Sequence, residues 1–171
     1  GYVKGIDFYT SLRLGDYYGW ISYGLLLAKE NLLNDDIGEF SRYTDQRHTI
    51  AIVNNIYLGK NWDFNLRLSY GSGFAYTPSY IMFDIENQRD VWAEGEKNSD
   101  HLPVYRRIDV RLSKGFTLWN LPAKIFLDIS NLFNYKNVIS IRYRYNRNGK
   151  PYKEELELFP IIPSIGFTLG F

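Results

Sequence analysis

The final stretch, residues 161–171, restricts the fold more than any other part of this chain. Ile165, Phe167, Leu169 and Phe171 share one parity, and Gly166, Thr168 and Gly170 share the other. Side chains alternate across a strand, so one face of this segment is large and apolar and the other is small. Left as an open edge in water, such a strand invites edge-to-edge association. Two settings absorb it. One is a soluble β-sandwich. The other is a barrel in lipid, whose strands satisfy one another's backbone and turn large apolar side chains outward.

The rest of the chain repeats the pattern. Ile6, Phe8, Leu12 and Leu14 oppose Asp7, Ser11 and Arg13 over residues 5–14. Residues 17–30 put Ile21, Tyr23, Leu25 and Leu27 on one face, and 47–58 do the same with Ile50, Ile52, Ile56 and Leu58. Over 62–76, Trp62, Phe64, Leu66, Leu68 and Tyr70 alternate with Asp63, Asn65, Arg67 and Ser69. Over 105–116, Ile108, Val110, Leu112 and Phe116 alternate with Arg107, Asp109, Arg111 and Ser113. Over 123–134, Ile125, Leu127, Ile129 and Phe133 oppose Lys124, Asp128 and Ser130. With 161–171 this period of two predicts seven strands.

The connections alternate in length. Gly15-Asp16, Gly59-Lys60-Asn61 and 117–122 are short; 31–46, 77–104 and 135–160 are long and polar. The 31–46 stretch carries Asn34-Asp35-Asp36, and Asn148-Gly149 marks a hairpin within 135–160. Membrane barrels pair short turns at one end with long loops at the other. Strands that cross a bilayer need about 9–11 residues. An even strand number is usual for single-chain barrels, so seven strands are expected to belong to a larger one, with 1–171 forming one part of its barrel domain.

Composition removes other classes. Aromatic residues make up 18% of the chain, including 15 Tyr and 11 Phe, as strands and interfacial girdles favour. A net charge of +1 gives no basic field for nucleic acid. The run Leu25-Leu26-Leu27-Ala28 falls far short of the roughly 20 apolar residues of a membrane helix. The absence of cysteine excludes disulfides and thiolate metal sites. Gly1 opens directly in strand-like sequence, so no signal peptide is expected within these residues, and an exported protein would have lost its N-terminal part.

Local motifs add a resemblance. Gly5-Ile6-Asp7-Phe8 followed by Trp20-Ile21-Ser22-Tyr23 resembles a "G-(I/V)-E-aromatic … W-x-S-Y" hairpin. Asp45-Gln46-Arg47-His48 resembles a "DQRH" strand start. Residues 70–78, Tyr-Gly-Ser-Gly-Phe-Ala-Tyr-Thr-Pro, resemble an "SG-x-P-Y-T-P" exit with Ala75 where Pro is usual. Arg107-Ile108-Asp109-Val110-Arg111 resembles "R-(I/L)-D-(L/V)-R", and Asn131-Leu132-Phe133-Asn134 with Asn137 resembles "NLFN…N". In this order the motifs resemble the C-terminal third of the barrel of a TonB-dependent outer-membrane receptor of Bacteroidota type. Ser164, Gly166, Leu169 and Phe171 fill the slots of the C-terminal assembly signal of bacterial outer-membrane barrels.

The resemblance implies an all-β fold: an antiparallel transmembrane β-barrel of 22 strands, of which about seven lie here, with a plug domain upstream. It implies import of a scarce ligand across the outer membrane of a Gram-negative cell. Its implied partners are the lipid bilayer and lipopolysaccharide, the barrel-assembly machinery, the TonB complex through the N-terminal part, and a surface lipoprotein. A porin, a barrel enzyme and a soluble β-sandwich binding module remain as alternatives.

No catalytic set stands out, and no cofactor or metal is expected. The histidines are His48 and His101. His48 follows Asp45 and Arg47, which fits acid–base chemistry less well than an Asp45–Arg47 pair at a strand start. His101 lies near Glu94, Glu96 and Asp100, but a metal needs ligands that converge. No helix follows Gly71-Ser72-Gly73 to make an anion site, so a kink or a close backbone approach is expected. Arg67, Asp109, Arg111, Lys124 and Asp128 either line a ligand path or pair with one another. Tyr80, Phe83, Trp92, Tyr143 and Tyr145 are the candidates for ligand contact, and Tyr76 divides between that role and an aromatic belt.

Overall fold

The computed structural model describes residues 1–32 and 36–170, so Asn34, Asp35 and Phe171 lie outside the described residues. In chain order the strands are β1 (Tyr2–Leu14), β2 (Tyr17–Asn31), β3 (Glu39–Ser41), β4 (His48–Gly59), β5 (Trp62–Gly71), β6 (Ala75–Tyr76) and β7 (Ser79–Asp84). They continue with β8 (Arg89–Glu94), β9 (Asp100–His101), β10 (Tyr105–Leu118), β11 (Leu121–Ser130), β12 (Val138–Tyr145), β13 (Pro151–Glu157) and β14 (Ile162–Leu169). No helix occurs among the described residues.

The seven expected strands pair in the order β1-β2-β4-β5-β10-β11-β14, every pair antiparallel, and β3 extends β2. The sheet is open, with β1 and β14 at its edges. Three two-stranded ribbons, β6-β9, β7-β8 and β12-β13, sit in the long connections. All three short turns therefore fall at one end of the sheet and all three long connections at the other.

The register sorts the side chains into rows. Leu12, Gly19, Asn54, Leu66, Val110, Ile129 and Pro163 lie side by side on one face. The next row of that face holds Leu14, Tyr17, Ile56, Phe64, Leu112, Leu127 and Ile165. The opposite face carries Arg13, Tyr18, Asn55, Asn65, Arg111, Asp128 and Ser164 in a single row. One face is thus mainly apolar, with Asn54 and Lys114 among its polar exceptions, and the other carries most of the charges. No second layer covers the apolar face: Ile6, Phe8, Leu12, Ile125, Leu127 and Ile165 are all exposed.

The turns follow their residues. Lys60 and Asn61 (φ 50° and 61°) and Trp119 and Asn120 (φ 52° and 63°) form two-residue turns with both central residues left-handed, the pairing that matches strand twist. The turn expected at 117–122 therefore tightens to Trp119-Asn120, because Leu118 still pairs with Leu121.

Three other expectations are corrected, and one is sharpened. The strand expected over 62–76 stops at Gly71, since Gly73 lies so close to the Leu102 backbone that a Cβ would collide with it. The strand expected over 123–134 ends at Ser130, because Asn131 turns left-handed at φ 53° and removes Phe133 from the apolar row. The long 77–104 connection, expected without strands of its own, holds two ribbons: β7 and β8 make a hairpin beyond the β6-β9 pair. The hairpin expected around Asn148-Gly149 is present, with a five-residue connection. Tyr145 pairs with Pro151, and Asn146 Oδ1 accepts from the backbone N–H of both Asn148 and Lys150.

Candidate functional site

The polar face is organised by ion pairs. Arg111 grips Asp128 of the neighbouring strand through Nε and Nη2, and its guanidinium lies 4.5 Å from the centre of the Phe126 ring. Phe126 in turn covers Gly166, where a Cβ would run into the ring. Arg107 Nε donates to Asp109 at 2.6 Å, and Lys124 reaches across β10 to Asp63 at 3.4 Å. Asn65 donates to Asn55 Oδ1 at 2.7 Å. Of the charges picked out from the sequence, Asp109, Arg111, Lys124 and Asp128 are therefore paired. Arg67 is exposed and beside a 490 Å³ cleft that Asn55, Asn65, Asp109, Arg111 and Ser164 also line.

At the long-connection end, three buried polar side chains fix where the strands stop. Asp45 is fully buried; its Oδ1 accepts from the Ala28 N–H at 3.1 Å and its Oδ2 from Arg47 at 3.0 Å. The pairing of Asp45 with Arg47 is thus present. His48 Nδ1 lies 3.0 Å from the Tyr23 hydroxyl. His101 is exposed, and no group of His, Asp and Glu side chains converges for a metal among the described residues. Asn131, 2% exposed, donates to the carbonyls of Tyr135 and Phe159, accepts from the Tyr135 N–H, and offers its own N–H to Asp109 at 2.9 Å. Asn137, equally buried, accepts from the Arg106 N–H at 2.9 Å. The motif around Arg107–Arg111 and the motif around Asn131–Asn137 meet here and clamp the base of the 135–160 connection.

Above this base the ribbons interlock. Asn98 donates to the Ser41 carbonyl at 2.7 Å and Lys97 lies over the Phe40 ring, so the 94–99 bend is tied to β3. Trp92 packs on Tyr143 with ring centroids 4.7 Å apart. Its backbone N–H donates to the Tyr145 hydroxyl at 3.0 Å, and its indole N–H to the Arg144 carbonyl at 3.1 Å. The Tyr76 hydroxyl donates to Asp100 at 2.9 Å; burial first, then the bonds to Asp100 and Tyr143, push its pKa well above that of an ordinary tyrosine.

Among the loop candidates, Trp92, Tyr143 and Tyr145 therefore come together as the pin between the β7-β8 and β12-β13 hairpins. Phe83 shares the hairpin face of Trp92 but is 57% exposed, and Tyr80 points to the opposite face. A 450 Å³ cleft opens below, lined by Tyr43, Phe74, Tyr76, Leu102 and Ile139 among others. Of the assembly-signal residues, Ser164 and Gly166 lie on the polar face and Leu169 on the apolar face, and Phe171 lies outside the described residues.

The buried roles of Asp45, Asn131 and Asn137 were not assigned from the sequence. The available signal was an Asp or Asn at the end of a strongly alternating segment, where side-chain bonds to the backbone favour a turn. No family model, curated protein or solved structure matches this chain.

Proposed function

We propose that this chain is a wall of a transmembrane β-barrel, and that the barrel is the C-terminal part of a TonB-dependent outer-membrane receptor importing a scarce ligand. The observation that carries the barrel reading is the uncovered apolar face. From Trp62 to Tyr70 that face of β5 is wholly apolar, about 27 Å along the strand and roughly 20 Å once tilted as barrel strands are. That length fills most of the outward apolar band of about 25 Å that membrane barrels carry. Trp62, Phe116 and Phe167 lie toward the short-turn end of the band, and Phe8, Tyr23 and Tyr70 toward the other, as two interfacial girdles would.

The polar face fits a wet or plugged lumen, because its charges are mostly neutralised in pairs. The two open edges fit continuation of the sheet into further strands, since lipid tolerates no free edge. The interlocked hairpins fit external loops that hold a ligand-binding surface in place. The receptor assignment rests on the motif resemblance.

Membrane fractionation tests the reading. The protein is expected in the outer-membrane fraction, resistant to urea extraction, and shifting in electrophoretic mobility only after boiling. Recovery in the soluble fraction overturns it and favours the sandwich.

A further inference from the structure

We propose that the short-turn end of the apolar face carries a binding site for the phosphodiester of an anionic membrane phospholipid, built from Lys60, Lys114 and Trp62. The inference rests on the barrel reading and goes beyond it by naming a lipid class and its residues.

Lys114 is out of place by composition. It stands on the apolar face of β10 between Leu112 and Phe116, directly beside Trp62 of β5 and Ile125 of β11. A cation in such a row must reach water or a counter-ion. Its ammonium lies 5.2 Å from the centre of the Trp62 ring, and it donates to the Lys60 carbonyl. An ammonium has three protons to donate, so two remain for a ligand.

No carboxylate competes. Among the described residues neither Lys60 nor Lys114 forms an ion pair, and the nearby Asp63 points to the other face and is taken by Lys124. Lys60 is exposed at the left-handed Lys60-Asn61 turn, and Lys114 holds its carbonyl, so the two residues stand at the same point of the rim. Trp119, 80% exposed, stands at the tip of the next turn, and Phe116 and Phe167 pack 6.2 Å apart beside the site. Aromatic rings next to cations at the rim of an apolar band suit a headgroup above and acyl chains below. A free phosphate would use the two charges but none of the apolar surface beneath them.

The test is competitive lipid retention. The detergent-solubilised protein is mixed with equal amounts of dioleoyl phosphatidylglycerol and dioleoyl phosphatidylcholine, and bound lipid is counted by native mass spectrometry. The wild type is expected to prefer the anionic lipid, and Lys114→Gln and Lys60→Gln to lower that preference by about fivefold each, as a lysine near an anionic surface contributes. Lys124→Gln, on the other face, is expected to keep it, and thermal unfolding of the two rim variants is expected to stay unchanged. Equal preference in wild type and the Lys60→Gln/Lys114→Gln double variant overturns the inference while leaving the barrel reading intact. A protein that needs no detergent overturns both.

Discussion

The hydroxyl of Tyr17 donates to the amide oxygen of Asn54 at 2.6 Å, on the apolar face of the sheet. Asn54 sits between Ile52 and Ile56 on that face, directly opposite Gly19. The Tyr17 side chain folds over Gly19, where a Cβ would strike its hydroxyl and ring. The glycine makes the space, the tyrosine fills it, and an amide on the apolar face gains a partner. Tyr17→Phe is expected to cost about 1–3 kcal/mol, the penalty for stranding a buried polar group. Adding Asn54→Leu to Tyr17→Phe is expected to recover most of that loss. Urea unfolding in lipid measures both, and an unaffected Tyr17→Phe variant would contradict the account.

The faces should respond differently to charge. Leu66→Arg places a cation in the middle of the apolar rows and is expected to cost about 2–4 kcal/mol. Asn65→Arg, one residue away on the polar face, is expected to cost far less, since water or a counter-ion can reach it. Outer-membrane yield and unfolding midpoints of the two variants, compared side by side, measure the difference.

Asn131 holds the base of the 135–160 connection through four hydrogen bonds. Three of them use its side chain. Asn131→Ala is expected to strand backbone groups of Tyr135 and Phe159 and cost about 2–3 kcal/mol locally. The expected readout is faster hydrogen exchange over 131–161 with little change in β1 and β2. Uniform loosening of the whole sheet would show that Asn131 acts globally instead.

Tyr76 gives a pH dependence. Its folded pKa is raised above 10, so its contribution to stability is complete below pH 10 and is lost as pH rises beyond it. In Tyr76→Phe that contribution is absent. The difference in unfolding midpoint between wild type and Tyr76→Phe is therefore expected to be constant below pH 10 and to shift against the wild type above it. A difference that stays flat to high pH would contradict the burial and the Asp100 bond.

The seven sheet strands were legible because large apolar and polar side chains alternate sharply along each of them. A slip of one residue would swap Leu66 for Asn65 across the whole row, so parity alone carries the register. The alternation of short and long connections followed from the same reading. What was not legible sits at the ends of strands. Asn131 and Gly73 lie inside segments whose pattern continues past the break, and the stop comes from bonds to Asp109 and contact with Leu102, both distant in sequence. Among the ligand candidates, Trp92, Tyr143 and Tyr145 meet one another, a contact the sequence did not show because inter-hairpin packing depends on how two separate ribbons meet. Tyr17 and Asn54 were not paired in advance either, since only the strand register brings them together.

The central claim is that the apolar face meets lipid. The chain has no cysteine, so single cysteines can be placed at Leu66, Val110 and Leu127 on that face and at Asn65, Arg111 and Asp128 on the other, then spin-labelled in bilayers. Labels at the first three are expected to collide with oxygen far more than with a water-soluble nickel chelate, and labels at the other three to show the reverse. Equal accessibility on the two faces, or nickel access at Leu66 and Val110, would contradict the account.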